Sequence, residues 1–361
     1  MNSIQKHLNK EESINLGSFY TPLNLVNIAY DLIERLNLKL DEYIFLDSSC
    51  GYGDFFIKNY TYIGTDIDEK ALTRVKNAKI FHTNSLLNVS RTKFKISQSQ
   101  RLIIIGNPPY NDTTSLARQN LKNKIMICDK DLKYRDLGIS FLRSYAKLKA
   151  DFVCVLHPLS YLIKKTNFNA LNDFRKKYKL IDEVVISSQF FTPNSSTFFP
   201  IIIALYEKNK QGMTYDFIQN YKFKTLENTS FSLKNFDFIS NYICKYPNLK
   251  DKRKAVAYFH TLRDINALKR NKSFLQKQSS NSIKVFKENL KYYVYVHLFK
   301  QYASKLPYYF GNLDIFIDNA SFLKIAGEFE KYFYKQDFNQ GAIDDYFIKL
   351  FARYKVKIDD L

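Results

Sequence analysis

The chain is 361 residues long and 45% hydrophobic, which suffices for one large or two ordinary globular domains and excludes global disorder. Its 55 lysines and arginines against 35 aspartates and glutamates give a net charge of +20, which favours nucleic acid or an anionic membrane surface, although a lysine-rich composition alone would also explain it. The four cysteines are dispersed, which argues against a disulfide framework or a zinc site. The polar start argues against a signal peptide, and the apolar runs are too short for a membrane span. We therefore expect a cytoplasmic protein.

The predicted elements alternate between helices and strands over the first 206 residues. The helices have apolar residues at helical spacing, and the first follows a Thr21-Pro22 start signal. In chain order we predict helix 23–38, strands 43–46 and 62–66, helix 69–77, strands 79–82 and 102–106, helix 138–149, strand 152–156, helix 169–179, and strands 181–187 and 200–206. The loop SSCGYGDFF after the first strand is expected to enter another helix. This alternation indicates an α/β fold with a doubly wound, Rossmann-like and mostly parallel sheet.

The texture of the sequence changes near residue 210, where the polar, glycine-ended stretch EKNKQG indicates a domain boundary. We therefore predict one domain over residues 1–210 and a second over residues 211–361. The basic charge of the second is concentrated, because residues 211–310 carry 18 basic and 6 acidic side chains whereas residues 311–361 carry 7 and 9. Such a concentration suits contacts with phosphates.

An acidic residue ends the first predicted strand, and a glycine loop follows it. Asp47 precedes Gly51 and Gly53, whose missing side chains let the backbone turn tightly and approach a ligand closely. Asp66 ends the next strand, where a carboxylate can accept hydrogen bonds from both ribose hydroxyls. The loop lacks the GxGxxG and GxxxxGK[ST] patterns, which disfavours a dinucleotide and a nucleoside triphosphate. The pattern therefore indicates a site for an adenosine-type cofactor.

Asn84 follows the third predicted strand, in the sequence FHTNSLLN. Because the carboxyl ends of the strands of a doubly wound sheet line one crevice, its amide could hydrogen-bond an adenine edge there. A turn residue with no ligand is the alternative.

The fourth strand, 102–106, ends in the tetrapeptide Asn107-Pro108-Pro109-Tyr110 at the same crevice. The Asn107 amide oxygen and the Pro108 carbonyl are two rigid acceptors, and neither proline has an amide hydrogen that would compete. Two acceptors that face one point suit an exocyclic amino group, and they pull its nitrogen towards a tetrahedral shape with a lone pair aimed at an electrophile. Tyr110 offers a flat face on which a base can stack. A simple proline turn is the alternative.

With its motifs in this order, the chain resembles the S-adenosylmethionine-dependent DNA N6-adenine methyltransferases of the NPPY amino-methyltransferase group. GSFYTP (Gly17–Pro22) resembles the N-terminal cofactor motif of that group, DSSCGYGDFF its DPACGSGxF loop, GTDID its ribose-binding acid and NPPY its catalytic motif. DLGISFLRSYAKL and FVCVLHPLSYL resemble the segments that follow. The resemblance covers about residues 15–207. It implies a methyltransferase sheet, a C-terminal target recognition domain and methyl transfer to an adenine flipped out of duplex DNA.

The resemblance also implies a set of site residues. Asn107, Pro108, Pro109 and Tyr110 would be catalytic, and Phe191 would close the other face of the base, with Phe190, Phe198 and Phe199 as alternatives and core packing as the competing role of each. S-adenosyl-L-methionine would contact Tyr20, Thr21, Pro22, Asp47, Cys50, Gly51, Asp66, Ile67, Asn84, Ser85 and Asn107. No metal is expected. Ser48, Ser49 and Asn84 replace the usual Pro, Ala and Asp, and we expect Asn84 to weaken cofactor binding modestly.

Double-stranded DNA is the implied partner, bound by a monomer, and a separate restriction endonuclease would complete a restriction-modification system. The basic stretch 250–300 would contact phosphates, and the polar segment 111–136 would be a loop that orders on DNA or a solvated connector. The acceptor pair alone also suits cytosine N4, a ribosomal guanine or a protein glutamine. A catalytically silent DNA-binding module is the alternative from another class.

Overall fold

The computed structural model describes residues 20–110, 127–193, 195, 197–248 and 250–356. Residues 17–19 of the Gly17–Pro22 motif and residues 111–126 of the polar segment lie outside the described residues. The chain divides into two compact units, one of Met1–Ser195 with Pro200–Leu233 and one of Ser196–Phe199 with Lys234–Leu361.

The first unit is built on a seven-stranded sheet. Its strands are β1 Tyr43–Asp47, β2 Thr61–Asp66, β3 Lys79–His82, β4 Arg101–Gly106, β5 Phe152–Pro158, β6 Tyr178–Ser187 and β7 Pro200–Lys208. They lie in the order β3-β2-β1-β4-β5-β7-β6, parallel from β3 to β5, with β7 antiparallel to both of its neighbours. Every residue of β1 is buried, as expected of a strand whose sheet is covered on both faces. The predicted α/β fold with a doubly wound, mostly parallel sheet is confirmed.

Helices and short turns connect these strands. The helices of the first unit are α1 Leu23–Glu34, α2 Glu69–Leu72, α3 Leu137–Leu148, α4 Ser160–Ile163, α5 Lys165–Ala170, α6 Asp173–Lys177 and α7 Tyr215–Asn220. The Asp136 carboxylate caps α3 by accepting a hydrogen bond from the Gly138 N–H at 3.1 Å. Asp68 caps α2 in the same way, through the N–H groups of Lys70 and Ala71.

The predicted helix after the glycine loop does not form. Residues 51–55 are turns, closed by hydrogen bonds from the Gly53 N–H to the Cys50 carbonyl at 2.7 Å and from the Phe56 N–H to the Gly53 carbonyl at 2.9 Å. Gly51 and Gly53 have φ values of +52° and +79°, which a right-handed helix does not allow. The glycines that permit the close turn therefore also end any helical geometry.

Three further helices differ by more than one residue from their predicted bounds, and the first of them, predicted over residues 23–38, ends at Glu34. The predicted helix 69–77 stops as a helix at Leu72, and residues 169–179 divide into α5 and α6 with strand β6 already beginning at Tyr178. Asn172 has φ +52°, and this left-handed residue separates α5 from α6.

The boundary between the units follows Leu233 rather than residue 210. A hairpin of β8 Phe223–Lys224 and β9 Ser230–Phe231 adds to the first unit. The Lys224 N–H donates to Glu183 Oε1 at 2.8 Å, and Thr225 forms a parallel bridge with Val185 of β6. The break at EKNKQG is thus a surface turn after β7, and the chain returns to the same sheet.

The second unit combines short strands with longer helices. Its elements are β10 Asp237–Phe238, β11 Ala257–His260, α8 Ile265–Arg270, β12 Phe274–Leu275, β13 Ser282–Val285, α9 Leu290–Tyr302, β14 Phe316–Ile317, α10 Asn319–Phe333 and α11 Gln340–Arg353. The strands form a β10-β14 pair and a β12-β11-β13 sheet. Aromatic rings fill the core between the helices: the Tyr295 ring centroid lies 5.3 Å from that of Phe322 and 5.4 Å from that of Phe347. In the parts of the chain that the structure describes, no helix is long and apolar enough to cross a membrane.

Candidate active site

The carboxyl ends of β1 and β4 meet at the point where the strand order of the sheet reverses. These strands are parallel neighbours, with Leu46 opposite Ile104, so Asp47 at the end of β1 and Asn107 just after β4 come to one edge. Chain connections leave in opposite directions from this point, which opens the crevice in which ligands bind to sheets of this kind.

Asp47 lies buried at the β1 side of this crevice. Its side chain is 3% exposed and its Oδ1 accepts a hydrogen bond from the Ser49 N–H at 3.0 Å. Gly106, at φ +152°, leaves the space that the carboxylate occupies, because a Cβ at that position would lie 2.7 Å from Asp47 Oδ1. Burial raises the pKa of Asp47 well above its ordinary value.

The glycine loop holds the second carboxylate, Asp66. The Gly51 N–H donates to Asp66 Oδ2 at 2.8 Å, and the Asp68 N–H donates to Oδ1 at 2.9 Å. Each carboxylate oxygen has two acceptor sites, so both oxygens can still accept from a pair of vicinal hydroxyls. Burial raises the pKa of Asp66. The next residue, Ile67, is 52% exposed and presents an apolar surface beside the carboxylate.

Cys50 connects the glycine loop to strand β2. Its N–H donates to the Thr65 carbonyl at 2.9 Å, and a Cβ at Gly64 would lie only 2.9 Å from the Cys50 sulfur. The buried Ser85 hydroxyl lies 2.5 Å from the Thr65 hydroxyl. These contacts tie the ends of β2 and β3 to the loop.

Asn84 has the contacts of a turn residue. Its Oδ1 accepts from the Leu86 N–H at 3.0 Å, and its Nδ2 donates to the Ile127 carbonyl at 2.6 Å. This is the geometry of the turn alternative. One lone pair of Oδ1 is not used by the Leu86 contact and could accept from a ligand.

The Asn107 amide is tied at one end only. Its Nδ2 donates to Thr21 Oγ1 at 3.3 Å, whereas its Oδ1 is buried and has no hydrogen-bond partner among the described residues. A buried acceptor without a donor costs about 1–3 kcal/mol. The structure therefore holds a fixed acceptor that lacks its donor, at the end of β4 where the sequence predicts one. Pro108 is buried and Pro109 is half-buried.

Tyr110 lies against the start of α3. A Cβ on Gly138 would lie 3.1 Å from Tyr110 Cβ and 2.5 Å from the Tyr161 hydroxyl, so only glycine leaves room for both tyrosine side chains. The Tyr161 hydroxyl donates to Asp136, the cap of α3. The Tyr110 ring is half-buried, and burial raises the pKa of its hydroxyl.

Thr21 joins the N-terminal motif to the glycine loop. It is 2% exposed, and its N–H donates to Asp54 Oδ2 at 2.9 Å. Pro22 ends this segment directly before α1, and Tyr20 is half-buried. Burial raises the pKa of Asp54 to about 6. Asp54 was missed by the sequence prediction, and the only available signal was an acidic residue within the glycine loop itself.

Phe191 does not present a face to a ligand. Its ring is 3% exposed, at the end of a tight turn that its N–H closes on the Ser188 carbonyl at 3.0 Å. The choice of Phe191 as the second stacking ring stays a prediction, and this burial does not favour it. Phe190, in the same turn, is half-buried. Phe198 and Phe199 are half-buried too, in the segment that belongs to the second unit.

No His, Cys, Asp or Glu cluster among residues 20–110, 127–193, 195, 197–248 and 250–356 could hold a metal ion. The acidic residues of the crevice are instead bonded to backbone N–H groups.

No protein-family model and no curated protein matches the chain. Solved structures do match, 203 chains among them. One is named as a class I S-adenosylmethionine-dependent methyltransferase from Listeria monocytogenes, at 15% identity over 55% of this chain and 64% of that one, with a TM-score of 0.39. A type IIL restriction-modification enzyme, MmeI in complex with DNA, matches at 12% identity over 73% and 47%, with a TM-score of 0.43. The methyltransferase subunit of a type I restriction-modification system from Streptococcus thermophilus matches at 14% identity over 61% and 48%, with a TM-score of 0.37.

The chain spans less than two thirds of each of these three proteins.

Proposed function

We propose that this chain is an S-adenosylmethionine-dependent methyltransferase that methylates the N6 amino group of a flipped-out adenine in duplex DNA. The observation that carries the proposal is the buried Asn107 Oδ1 at the carboxyl end of β4, which has no hydrogen-bond partner among the residues that the structure describes and lies beside two carboxylates that the glycine loop holds in place. An acceptor fixed in this way suits a substrate that donates hydrogen bonds from an amino group.

The residues of the crevice fit S-adenosylmethionine. Asp66 would accept from the ribose hydroxyls, and exposed Ile67 would pack against the adenine ring. Asp47 and Cys50 would lie near the methionine part, together with the Tyr20-Thr21-Pro22 segment. When bound, this cofactor supplies an electrophilic methyl group. Its site needs no metal.

Asn107 and Pro108 would bind the substrate amino group. The Asn107 Oδ1 accepts one hydrogen and the Pro108 carbonyl accepts the other, which withdraws the nitrogen lone pair from the aromatic ring. Tyr110 would stack on the base, and the space at Gly138 leaves room for its Cβ beside the start of α3. Because Asn107 cannot take up a proton, the proton would leave to water. Positioning therefore supplies most of the rate.

The second unit would bind the duplex as a target recognition domain. Its basic side chains are mostly exposed between residues 250 and 300, where Lys252, Lys254, Arg263, Lys272, Lys277 and Lys287 are among them. Arg253 is already engaged by Asp251 and Glu288, so the phosphate contacts would come from the other cations. A chain of this kind would be the modification half of a restriction-modification system, with a separate endonuclease.

The same acceptor pair would also accept the amino group of cytosine or guanine, or the amide of a protein glutamine. The concentrated positive charge of residues 211–310 favours a nucleic acid. The product distinguishes these substrates directly.

The test is to incubate the full chain with methyl-labelled S-adenosylmethionine and duplex DNAs of varied sequence, and to analyse the labelled nucleosides. The proposal predicts N6-methyladenine at a defined sequence. If the label appeared in N4-methylcytosine, in RNA or in protein, the proposed substrate would be wrong. If no methyl group were transferred to any of these acceptors, the methyltransferase assignment would be refuted.

A further inference from the structure

A chain of hydrogen bonds connects the Asn107 amide to the glycine loop through the N-terminal motif. Asn107 Nδ2 donates to Thr21 Oγ1 at 3.3 Å, and the Thr21 N–H donates to Asp54 Oδ2 at 2.9 Å. These contacts join residues that are 86 and 33 positions apart in sequence.

The contact at Thr21 occupies the donor end of the amide, and within the described part of the chain the acceptor end has no partner. A side-chain amide has an oxygen that accepts and a nitrogen that donates, and rotation about its last bond exchanges the two. If the Asn107 amide nitrogen pointed towards the substrate, two hydrogen-bond donors would face each other. The amide would then have to rotate before methyl transfer could occur.

We propose that Thr21 and Asp54 are positioning residues, which hold the Asn107 amide with its oxygen towards the amino group of the substrate. This inference rests on the proposed methyl transfer. Thr21 acts on Asn107 through its hydroxyl, and Asp54 acts on Thr21 by fixing the backbone of a residue that is 2% exposed.

Replacing Thr21 by Val keeps the shape of the side chain and removes the acceptor. The Nδ2 of Asn107 then loses the hydrogen bond that ties it to the N-terminal motif, so the amide is no longer held in the productive position. One neutral hydrogen bond corresponds to a fall in kcat of about tenfold. Thr21→Ser restores the hydroxyl and is expected to recover most of the turnover.

Asp54 allows a second, independent pair of variants. Asp54→Asn retains an oxygen that can accept from the Thr21 N–H, whereas Asp54→Ala removes it. We expect Asp54→Ala to lower kcat about threefold to tenfold and Asp54→Asn to have a smaller effect. Because Asp54 contacts Thr21 through the backbone, this pair leaves the Thr21 hydroxyl unchanged.

The experiment measures kcat for DNA methylation and the calorimetric Kd for S-adenosylmethionine, with the full chain and each variant. Thr73→Val is the matched control, since the Thr73 hydroxyl donates to the Lys70 carbonyl at 2.8 Å on an exposed helix end. Melting temperatures identify any variant that fails to fold. If Thr21→Val does not fold, the comparison of Asp54→Ala with Asp54→Asn tests the inference.

The inference predicts that Thr21→Val and Asp54→Ala lower kcat at saturating cofactor by a larger factor than they raise the cofactor Kd, and that the conservative variants recover kcat. A wild-type kcat in Thr21→Val would overturn it, and so would a cofactor Kd that rises by the same factor as kcat falls. A wild-type chain that methylates no substrate would overturn the proposed function, and this inference with it.

Discussion

Replacing Gly106 by Ala should damage the crevice directly. An alanine Cβ would lie 2.7, 2.8 and 2.9 Å from Asp47 Oδ1, Cγ and Oδ2, which is closer than non-bonded carbon and oxygen atoms approach. Asp47 cannot simply rotate away, because it is 3% exposed and its Oδ1 holds the Ser49 N–H. The substitution therefore displaces the carboxylate and loosens the start of the glycine loop.

The size of the effect follows from two contributions. The backbone of Gly106 has φ +152°, a conformation that costs a residue with a side chain about 1–3 kcal/mol. Loss of the Asp47–Ser49 hydrogen bond adds about 1–1.5 kcal/mol. We expect Gly106→Ala to lower the free energy of unfolding by about 2–4 kcal/mol and to weaken binding of S-adenosylmethionine at least tenfold.

The assay is urea unfolding followed by far-ultraviolet circular dichroism, since the chain contains no tryptophan, together with calorimetric titration of the cofactor. Gly327→Ala is the matched control: no atom lies within 4 Å of its added Cβ, and it lies inside helix α10. Alanine should stabilise that helix by about 0.5–1 kcal/mol. If Gly106→Ala were as stable as wild type and bound the cofactor normally, the packing of Asp47 against Gly106 could not organise the site.

Three further predictions concern stability and binding. Glu183 is buried and its pKa is raised to about 8, so folding favours its protonated form. As the pH rises from 5 to 8, the free energy of unfolding of wild type, measured with urea, should therefore fall by up to about 4 kcal/mol, and that of Glu183→Gln should fall much less. Arg91 donates to four backbone carbonyls, one of them that of Leu148 at 2.9 Å, so Arg91→Lys should cost about 2–4 kcal/mol in the same assay, and no loss would contradict a structural role. DNA affinity should fall steeply between 50 and 200 mM salt in filter binding, whereas a flat response would exclude phosphate contacts by the basic stretch.

The sheet was predictable because its strands are short apolar runs with clear ends. The prediction for β3 has the same bounds as the structure, and β1 and β4 differ by one residue each. The helix predicted after the glycine loop failed because Gly51 and Gly53 adopt positive φ, which apolar spacing does not report. The division after Leu233 could not be predicted, because the hairpin β8-β9 returns to the sheet through contacts with Glu183 and Val185 that are distant in sequence.

The crevice shows the same contrast. Asp47, Asp66 and Asn107 could be brought together from the sequence, because the carboxyl ends of adjacent parallel strands meet at one edge. Their supports could not, since the contacts of Asp54 with Thr21 and of Gly106 with Asp47 join residues 33 and 59 positions apart. Phe191 shows a further limit of sequence-based prediction, because the sequence does not indicate which of four neighbouring phenylalanines is buried.

The most direct measurement compares wild type with Asn107→Ala for methylation of duplex DNA and for binding of S-adenosylmethionine, with Asn24→Ala at an exposed position of α1 as control. Since Asn107 Oδ1 is the acceptor for the substrate amino group, Asn107→Ala should lose at least about 100-fold in methyl transfer, the scale of removing one fixed catalytic hydrogen-bonding group. Cofactor affinity should change by less than about fivefold. Near-normal turnover of Asn107→Ala, in a preparation where wild type is active, would contradict the account.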